Sequence, residues 1–303
     1  MSAGYAARLK EYPHKGVCGL PESFETSRSL LLKVRQLAAW IQHSKRVVIV
    51  TGAGISTAAG IPDFRGPKGI WTVEQQKKKR KRNNAEQDTA ASPSMDFARV
   101  QPTLTHRAIT YLVSKGMVRY VVTQNVDGLH RRSGLSRDAH CCLHGCVFTE
   151  VCTGCKAEHF RDFDVGGMSF QKTGRRCDLC GCDLIDTLLD WEDPLPEDDF
   201  ERATEECEKA DLALALGTSL RIEPAGSLPT LAKKYAIVNL QETPKDEGCS
   251  LILRGRADEV VALLMEELGL QGWERETVPL TQLTWVPPPT TETTAEAELD
   301  ANC

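Results

Sequence analysis

Apolar positions recur along this chain with two alternating periods. Leu30, Val34, Leu37 and Ile41 fall three or four residues apart with Ala38 on the same side, so residues 29–44 are expected to form an amphipathic helix. That stripe runs into Val47–Val50, an unbroken β-branched stretch suited to a strand buried on both faces. The alternation then repeats. A helix is expected over 105–115, ending at Gly116, followed by a strand over 118–123. A helix over 199–210 carries Phe200, Ala203 and Cys207 in one stripe, and strands follow at 212–216 and 236–240. A last helix, 257–268, is stopped by Gly269. Strands alternating with helices predict βαβ units: a mostly parallel, Rossmann-like α/β sheet with helices on both faces.

Three stretches break the pattern. Residues 141–195 are rich in Cys, Gly and charge with no sustained period, and are expected to form a small inserted module. Residues 75–94 contain the run Lys77–Arg82, KKKRKR, followed by polar residues, which suggests a mobile loop. The Pro-, Thr- and Glu-rich end, from Val286 onward, is expected to be disordered, and the whole tail is bounded at 272–303. The expected organisation is an N-terminal segment 1–28, a discontinuous sheet domain 29–140 and 196–271, the inserted module, and the tail.

Composition narrows the possibilities. With 303 residues, 41% hydrophobic and 26% charged, the chain can bury a core and is not wholly disordered. No apolar run approaches the roughly 18–20 residues of a membrane span, and the start, MSAGYAARLKEYP, lacks the apolar stretch of a secretory signal. A net charge of −5 argues against coating nucleic acid by bulk charge. Nine of the twelve cysteines lie between Cys141 and Cys207, which favours metal binding over a disulfide framework. Cys152-x2-Cys155 and Cys177-x2-Cys180 are separated by 21 residues, a spacing at which four thiolates can surround one structural Zn²⁺. Cys180 and Cys182 both offer the fourth thiolate; Cys180 is preferred because Gly181 then forms the turn of the knuckle.

The first strand leads into TGAGISTAAGIPDFRG, residues 51–66. Gly52 and Gly54 at a strand-to-helix turn would let backbone approach a pyrophosphate, with the helix N-terminus facing the anion. A third glycine is missing, its place held by Thr57, so the turn alone is also consistent with plain packing. A hydride-transferring dehydrogenase should carry an acid about 20 residues on, at a second strand end. Here the turn is followed instead by Asp63, Phe64 and Arg65, an acid, an aromatic and a guanidinium beside the nucleotide.

GAGISTAAGIPDFRG, TQNVDGLH (123–130), LHG (143–145), GTS (217–219) and VNLQ (238–241) together resemble the sirtuin family in order and spacing, over about residues 16–270. The N-terminal YAARLKEYPHKGVCGLPE, Gly69-Ile70-Trp71 and DWEDPLP (190–196) most resemble its nuclear branch, typified by the sixth mammalian sirtuin. The resemblance implies an NAD-consuming protein-lysine deacylase on a Rossmann-like domain with an inserted zinc ribbon. His144 matches the catalytic base, and histidine is the residue whose ordinary pKa suits that task. His106 and His130 match recurring positions and are read as packing or hydrogen-bonding residues.

The same resemblance places Asn125 and Gln124 at the ribose and Asp127, with the Val126 backbone, at the nicotinamide carboxamide. Asp127 could equally close an Asx turn at Gly128. Phe64 is expected to shield the reactive face and Arg65 to meet phosphate or ribose. Gly217, Thr218 and Ser219 should contact phosphate, and Asn239 and Gln241 the adenosine ribose. Gly52, Ala53, Gly54, Thr57, Asp63, Trp71 and Ala257 complete the implied NAD set, and Asp190 and Trp191 should line an acyl-lysine groove. Implied partners are acylated protein lysines, histone tails first, with a nucleosomal DNA contact through Lys77–Arg82 and a nuclear location. Protein mono-ADP-ribosyl transfer and a chromatin-binding module with weak catalysis remain alternatives. Cys142 and Cys146 stand where relatives usually carry an acid and an asparagine around LHG.

Overall fold

The computed structural model describes residues 5, 8–11, 15–83, 97–274 and 283–288. Helix α1 (Ser27–His43) is capped by Thr26, whose hydroxyl accepts the Ser29 amide, and it buries Leu30, Val34, Leu37, Ala38 and Ile41. Strand β1 (Val47–Thr51) follows, buried along its whole length. The chain continues through α2 (Ile70–Asn83), α3 (Leu104–Ser114), β2 (Tyr120–Thr123), the single turn α4 (Leu129–Arg132) and β3 (His140–Cys142). After the strands β4 (Thr149–Cys152), β5 (Glu158–Phe160), β6 (Lys172–Arg176) and β7 (Asp183–Asp186) come α5 (Glu197–Glu208), β8 (Leu212–Leu216), β9 (Tyr235–Val238), β10 (Leu251–Leu253), α6 (Ala257–Glu267) and β11 (Thr284–Trp285).

The main sheet has six strands in the order β10-β9-β8-β1-β2-β3, every neighbouring pair parallel. Strand order reverses at β1, the arrangement in which α/β folds open a crevice at the carboxyl ends of the strands. The registers Thr51↔Thr123 and Thr51↔Leu216 end β2, β1 and β8 level, so Gln124, Gly52 and Gly217 leave the sheet side by side. One face packs α1, α3 and α6 through Val34, Leu37, Ile109, Leu112, Val260 and Leu264. The other is covered by α5 and the 225–231 turn. The second sheet, β11-β5-β4-β7-β6, is antiparallel and carries the cysteine knuckles at its hairpin ends. A third cluster, including Ile61, Val126, Leu129, Phe148, Phe160 and Leu188, welds the two sheets together.

Several expectations need correction. The basic run is not in a loop: residues 75–83 continue α2, while 84–94 lie outside the described residues. Buried Trp71 and Thr72 anchor its first turn, Gln, Lys and Arg favour helix, and Glu74 and Lys78 pair one turn apart at 3.1 Å. The tail is ordered in part. Trp273 is buried in the core, and Thr284–Trp285 pairs with β5. Trp285 lies 4.7 Å from the Arg137 guanidinium and donates to Asp138 at 2.8 Å, which explains why that short segment docks. Residues 275–282 and 289–303 lie outside the described set. Finally, the glycine turn opens two 3₁₀ turns, Ala53–Ile55 and Thr57–Ala59, rather than an α-helix, and the second is ended by Gly60, left-handed at φ 85°. The parallel sheet takes β3 from the start of the expected module, whose antiparallel strands begin at Thr149.

Candidate functional site

A cavity of about 810 Å³ opens where β1, β2 and β8 end. Its wall brings together Gly52, Ala53, Gly54, Asp63, Phe64, Arg65, Gln124, Asn125 and His144. Gly217, Thr218, Ser219, Asn239 and Gln241 close it from the other half of the sheet, and Asp190 and Trp191 reach it from the module side. Leu189, Leu195, Phe200 and Ile222 add apolar side chains to its lining. Thr57, Trp71, Asp127 and Ala257 are not in the wall. Thr57 caps its own turn by donating to the Gly54 carbonyl at 3.0 Å. Trp71 stacks on Phe64 with ring centres 4.3 Å apart and lies 4.5 Å from the Arg65 guanidinium, so it backs the wall from behind. Ala257 opens α6 and packs on the sheet core.

The glycines of the turn are required by packing between loops. A Cβ on Gly52 would come within 2.6 Å of the Thr218 Cβ, and one on Gly54 within 2.8 Å of the Gly217 Cα. The Gly54 amide donates to the Gly217 carbonyl at 2.7 Å, closing the two strand-end loops on each other. Gln124 Nε2 adds a bond to Thr218 Oγ1 at 3.2 Å. Across the turn, Asp63 accepts the Gly66 amide at 2.9 Å, and burial pushes its pKa up. Arg65 donates to the Lys15 carbonyl at 3.0 Å; burial lowers its pKa to about 10, which leaves it cationic at neutral pH.

Asn125 and Asp127 are both buried and both tied to Ser56, which the sequence motifs did not single out. Ser56 Oγ donates to Asp127 Oδ2 at 2.7 Å and accepts from Asn125 Nδ2 at 3.3 Å; Asn125 Nδ2 also donates to the Gly52 carbonyl at 3.0 Å. Asp127 Oδ1 accepts the Leu129 amide at 3.0 Å across left-handed Gly128, so the Asx turn is present.

His144 is half-buried in the loop after β3. Its Nδ1 lies 3.1 Å from the Gln124 carbonyl oxygen. A carbonyl only accepts, so Nδ1 carries the proton and Nε2 keeps its lone pair. Burial lowers the pKa of this imidazole and the Gln124 bond pushes it back up. A neutral ring held in one tautomer at a cavity is equipped to take a proton. Cys142 and Cys146 flank this loop as thiols: Cys146 is packed in the apolar cluster, and burial raises its pKa to about 11. Such thiols are unreactive.

In the module, the sulfurs of Cys152, Cys155, Cys177 and Cys180 all lie within 4.8 Å of one another, with Cys152–Cys180 at 3.3 Å and Cys155–Cys177 at 3.7 Å. Four thiolates about 2.3 Å from a tetrahedral Zn²⁺ stand roughly 3.8 Å apart, so this quartet fits a structural zinc site with no open position. Cys180 supplies the fourth corner. His159, unremarked in the sequence, places Nε2 3.4 Å from Cys177 Sγ, the position of an outer partner to the metal ligands.

Known proteins are similar to this chain in sequence and fold. The Sir2 family model matches residues 52–224. The NAD-dependent protein deacetylase SRT1 of Oryza sativa subsp. indica is 45% identical over 277 residues, covering 89% of this chain and 55% of that protein. The NAD-dependent protein deacetylase Sirt6 of Drosophila melanogaster is 41% identical over 286 residues, covering 89% of this chain and 86% of the fly protein. This chain thus spans about half the length of the rice relative and most of the fly one. A solved Sir2 variant bound to a deacetylated p53 peptide and 3′-O-acetyl ADP ribose superposes with a TM-score of 0.59 at 29% identity, over 78% of this chain and 99% of that one. Family model, relatives and architecture agree, and the chain belongs to the Sir2, or sirtuin, family.

Proposed function

We propose that this protein is an NAD-dependent protein-lysine deacylase. The observation that carries the proposal is His144: a neutral imidazole, its Nδ1 proton held by the Gln124 carbonyl, in the wall of a cavity built from the level ends of β2, β1 and β8. The 810 Å³ cavity is large enough for a dinucleotide and an acyl-lysine side chain together. Bound NAD supplies a ribose carbon made electrophilic by its cationic nicotinamide leaving group. Gly52, Gly54 and Gly217–Ser219 bring backbone close for the phosphates, with Arg65 as the cation beside them. Ser56 holds Asn125, which lines the cavity for the ribose, and ties it to Asp127 behind the wall. Phe64, fixed by Trp71, keeps water from one side. His144 Nε2 accepts the proton released from a ribose hydroxyl.

Acylated histone tails are the proposed substrates. Asp190, Asp193 and Glu197 line the cavity and favour a basic peptide beside the acyl-lysine, with Trp191 against the chain. Lys77–Arg82, presented on α2, is the proposed DNA contact and supports a nuclear location. The test is to incubate the protein with NAD and an acetylated histone-tail peptide and analyse the products by mass spectrometry. O-acetyl-ADP-ribose and nicotinamide in equal amounts are expected. ADP-ribose attached to protein, without acyl product, would replace this proposal with mono-ADP-ribosyl transfer. No nicotinamide release would leave a chromatin-binding module.

A further inference from the structure

Three buried histidines that the proposed chemistry does not use stand in a row behind the glycine turn. The His106 and His130 rings meet edge to face with centres 4.8 Å apart, and His140 lies 6.3 Å beyond His130. Each has one satisfied ring nitrogen: His106 Nδ1 at 2.7 Å from Thr103 Oγ1, His130 Nε2 at 3.0 Å from Thr51 Oγ1, and His140 Nδ1 at 2.8 Å from the Ser136 carbonyl. The opposite nitrogens, His106 Nε2, His130 Nδ1 and His140 Nε2, are buried without a partner among the described residues. Burial takes His106 and His130 down to about 3, so both are neutral. A buried imidazole with one orphaned nitrogen is costly compared with a leucine of similar volume, so the one bond each makes is where to look for its purpose.

The bond of His130 leads to the catalytic loop. Thr51 is the last residue of β1, and its carbonyl accepts the Gln124 amide at 3.1 Å. The Gln124 carbonyl in turn accepts His144 Nδ1–H at 3.1 Å. One side chain, one strand end and the backbone of one residue, Gln124, from its N–H through Cα to its carbonyl, therefore separate His130 from the base. His130 is itself fixed by the α4 turn and by the flank of His106, whose partner Thr103 donates to the Ile55 carbonyl at 3.0 Å and holds the other end of the glycine turn. We infer that His130 is a positioning residue: through Thr51 and the Gln124 backbone, whose N–H is held by the Thr51 carbonyl, it fixes the residue whose carbonyl orients the His144 imidazole.

The inference rests on His144 being the base of the deacylase. The Gln124 bond favours the protonated ring, so a slack Gln124 peptide lowers the His144 pKa further. The charged groups around the same cavity are Asp63, Arg65, Asp190, Asp193, Glu197 and Glu223, whereas the groups whose charge acts on His130 are His106 and Asp127. The experiment compares wild type with His130→Leu, His130→Gln, Thr51→Val and the Thr51→Val/His130→Leu double variant. A glutamine amide can occupy the place of the imidazole Nε2 and keep Thr51 paired. His144 is titrated by NMR of its ring in the free protein, and kcat is measured by nicotinamide release.

His130→Leu should move the His144 titration to lower pH and reduce kcat by about tenfold or more, with the peptide KM little changed. Thr51→Val should do the same, the double variant should be no worse than either single, and His130→Gln should restore both readouts. An unmoved His144 titration in a folded His130→Leu protein overturns the inference, as do additive losses in the double variant or a glutamine variant as impaired as leucine. If His130→Leu does not fold, the near-isosteric Thr51→Val carries the same test. A wild type that releases no nicotinamide refutes the deacylase proposal instead, and the NMR titration still decides the link.

Discussion

Gly145→Ala should damage both stability and turnover, because Gly145 packs the loop of His144, the proposed base, directly against the Thr187 backbone. It has φ 79°, and a Cβ built there would lie 1.8 Å from the Thr187 carbonyl oxygen and 2.5 Å from its carbon. Real Cβ contacts stay beyond 3.0 Å, so the carbonyl must retreat by roughly 1.2 Å. An alanine in the left-handed region costs about 1–2 kcal/mol, and forcing backbone apart in a packed interior costs about 1–3 kcal/mol more. At about 2–4 °C per kcal/mol, Tm should fall by roughly 4–20 °C. The loss of activity should be larger. Thr187 Oγ1 accepts the Cys146 amide at 3.1 Å, and the Leu189 amide donates to the His144 carbonyl at 3.3 Å, so the displaced segment is tied to both sides of Gly145. A shift of that size at the base corresponds to about a hundredfold in rate. Gly116→Ala is the control: φ is 69°, but nothing lies within 4 Å of the new Cβ, so it should show only the dihedral cost and full turnover. Thermal unfolding and nicotinamide release measure both variants. A Gly145→Ala protein with wild-type Tm and turnover would refute the claim that the Gly145–Thr187 contact sets the catalytic loop.

Other expectations follow from the same geometry. His144→Tyr should keep the fold and abolish deacylation, since a phenol with a pKa near about 10 does not serve as the base at neutral pH; full turnover in a folded variant contradicts the assignment. Because burial lowers the His144 pKa, the neutral form persists to lower pH than for a free imidazole, and the acid limb of kcat/KM should lie below about pH 6.5; a limb above that value contradicts the environment described. Cys177→Ser should lose zinc and lower Tm, because structural metal binding is folding free energy, whereas Cys182→Ser should keep one zinc per chain by elemental analysis. Replacing Lys77–Arg82 with Gly and Ser should weaken nucleosome binding and flatten its salt dependence without changing NAD affinity; identical salt slopes rule out the DNA contact.

What could be foreseen in the chain depended on how locally each feature is determined. The stripe at Leu30–Ile41 and the run Val47–Val50 are fixed by burial on known faces, so α1 and β1 stand almost where periodicity puts them. The cysteine knuckles are also local, each pair belonging to one hairpin turn, and the long-range step was only that the two turns meet. Helix α2 was hidden because its exposed face carries like charges, which suggest solvation but leave helix propensity intact. Trp273 and Trp285 were masked by polar surroundings; their order comes from a core and an Arg137–Asp138 platform supplied by distant parts of the chain.

The site divides in the same way, and the division bears on how the chemistry is held. His144, Asn125 and Arg65 are legible because each sits in a short motif, and all three line the cavity. Ser56 and Thr187 are not singled out by the motifs, and His130 reads there only as a packing or hydrogen-bonding residue; all three sit one bond further back, Ser56 on Asn125 and Asp127, His130 on Thr51, Thr187 on the backbone beside His144. These contacts join residues 41–79 positions apart, and no periodicity or short motif encodes such a pairing. The level ends of β2, β1 and β8 bring them together, since register places the residues after each strand in one row. Motifs therefore locate most of the groups that line the cavity, and the parallel sheet sets the row in which those groups stand. A substitution among the hidden partners should lower turnover while the motif set stays intact, and that separates an orienting role from a chemical one.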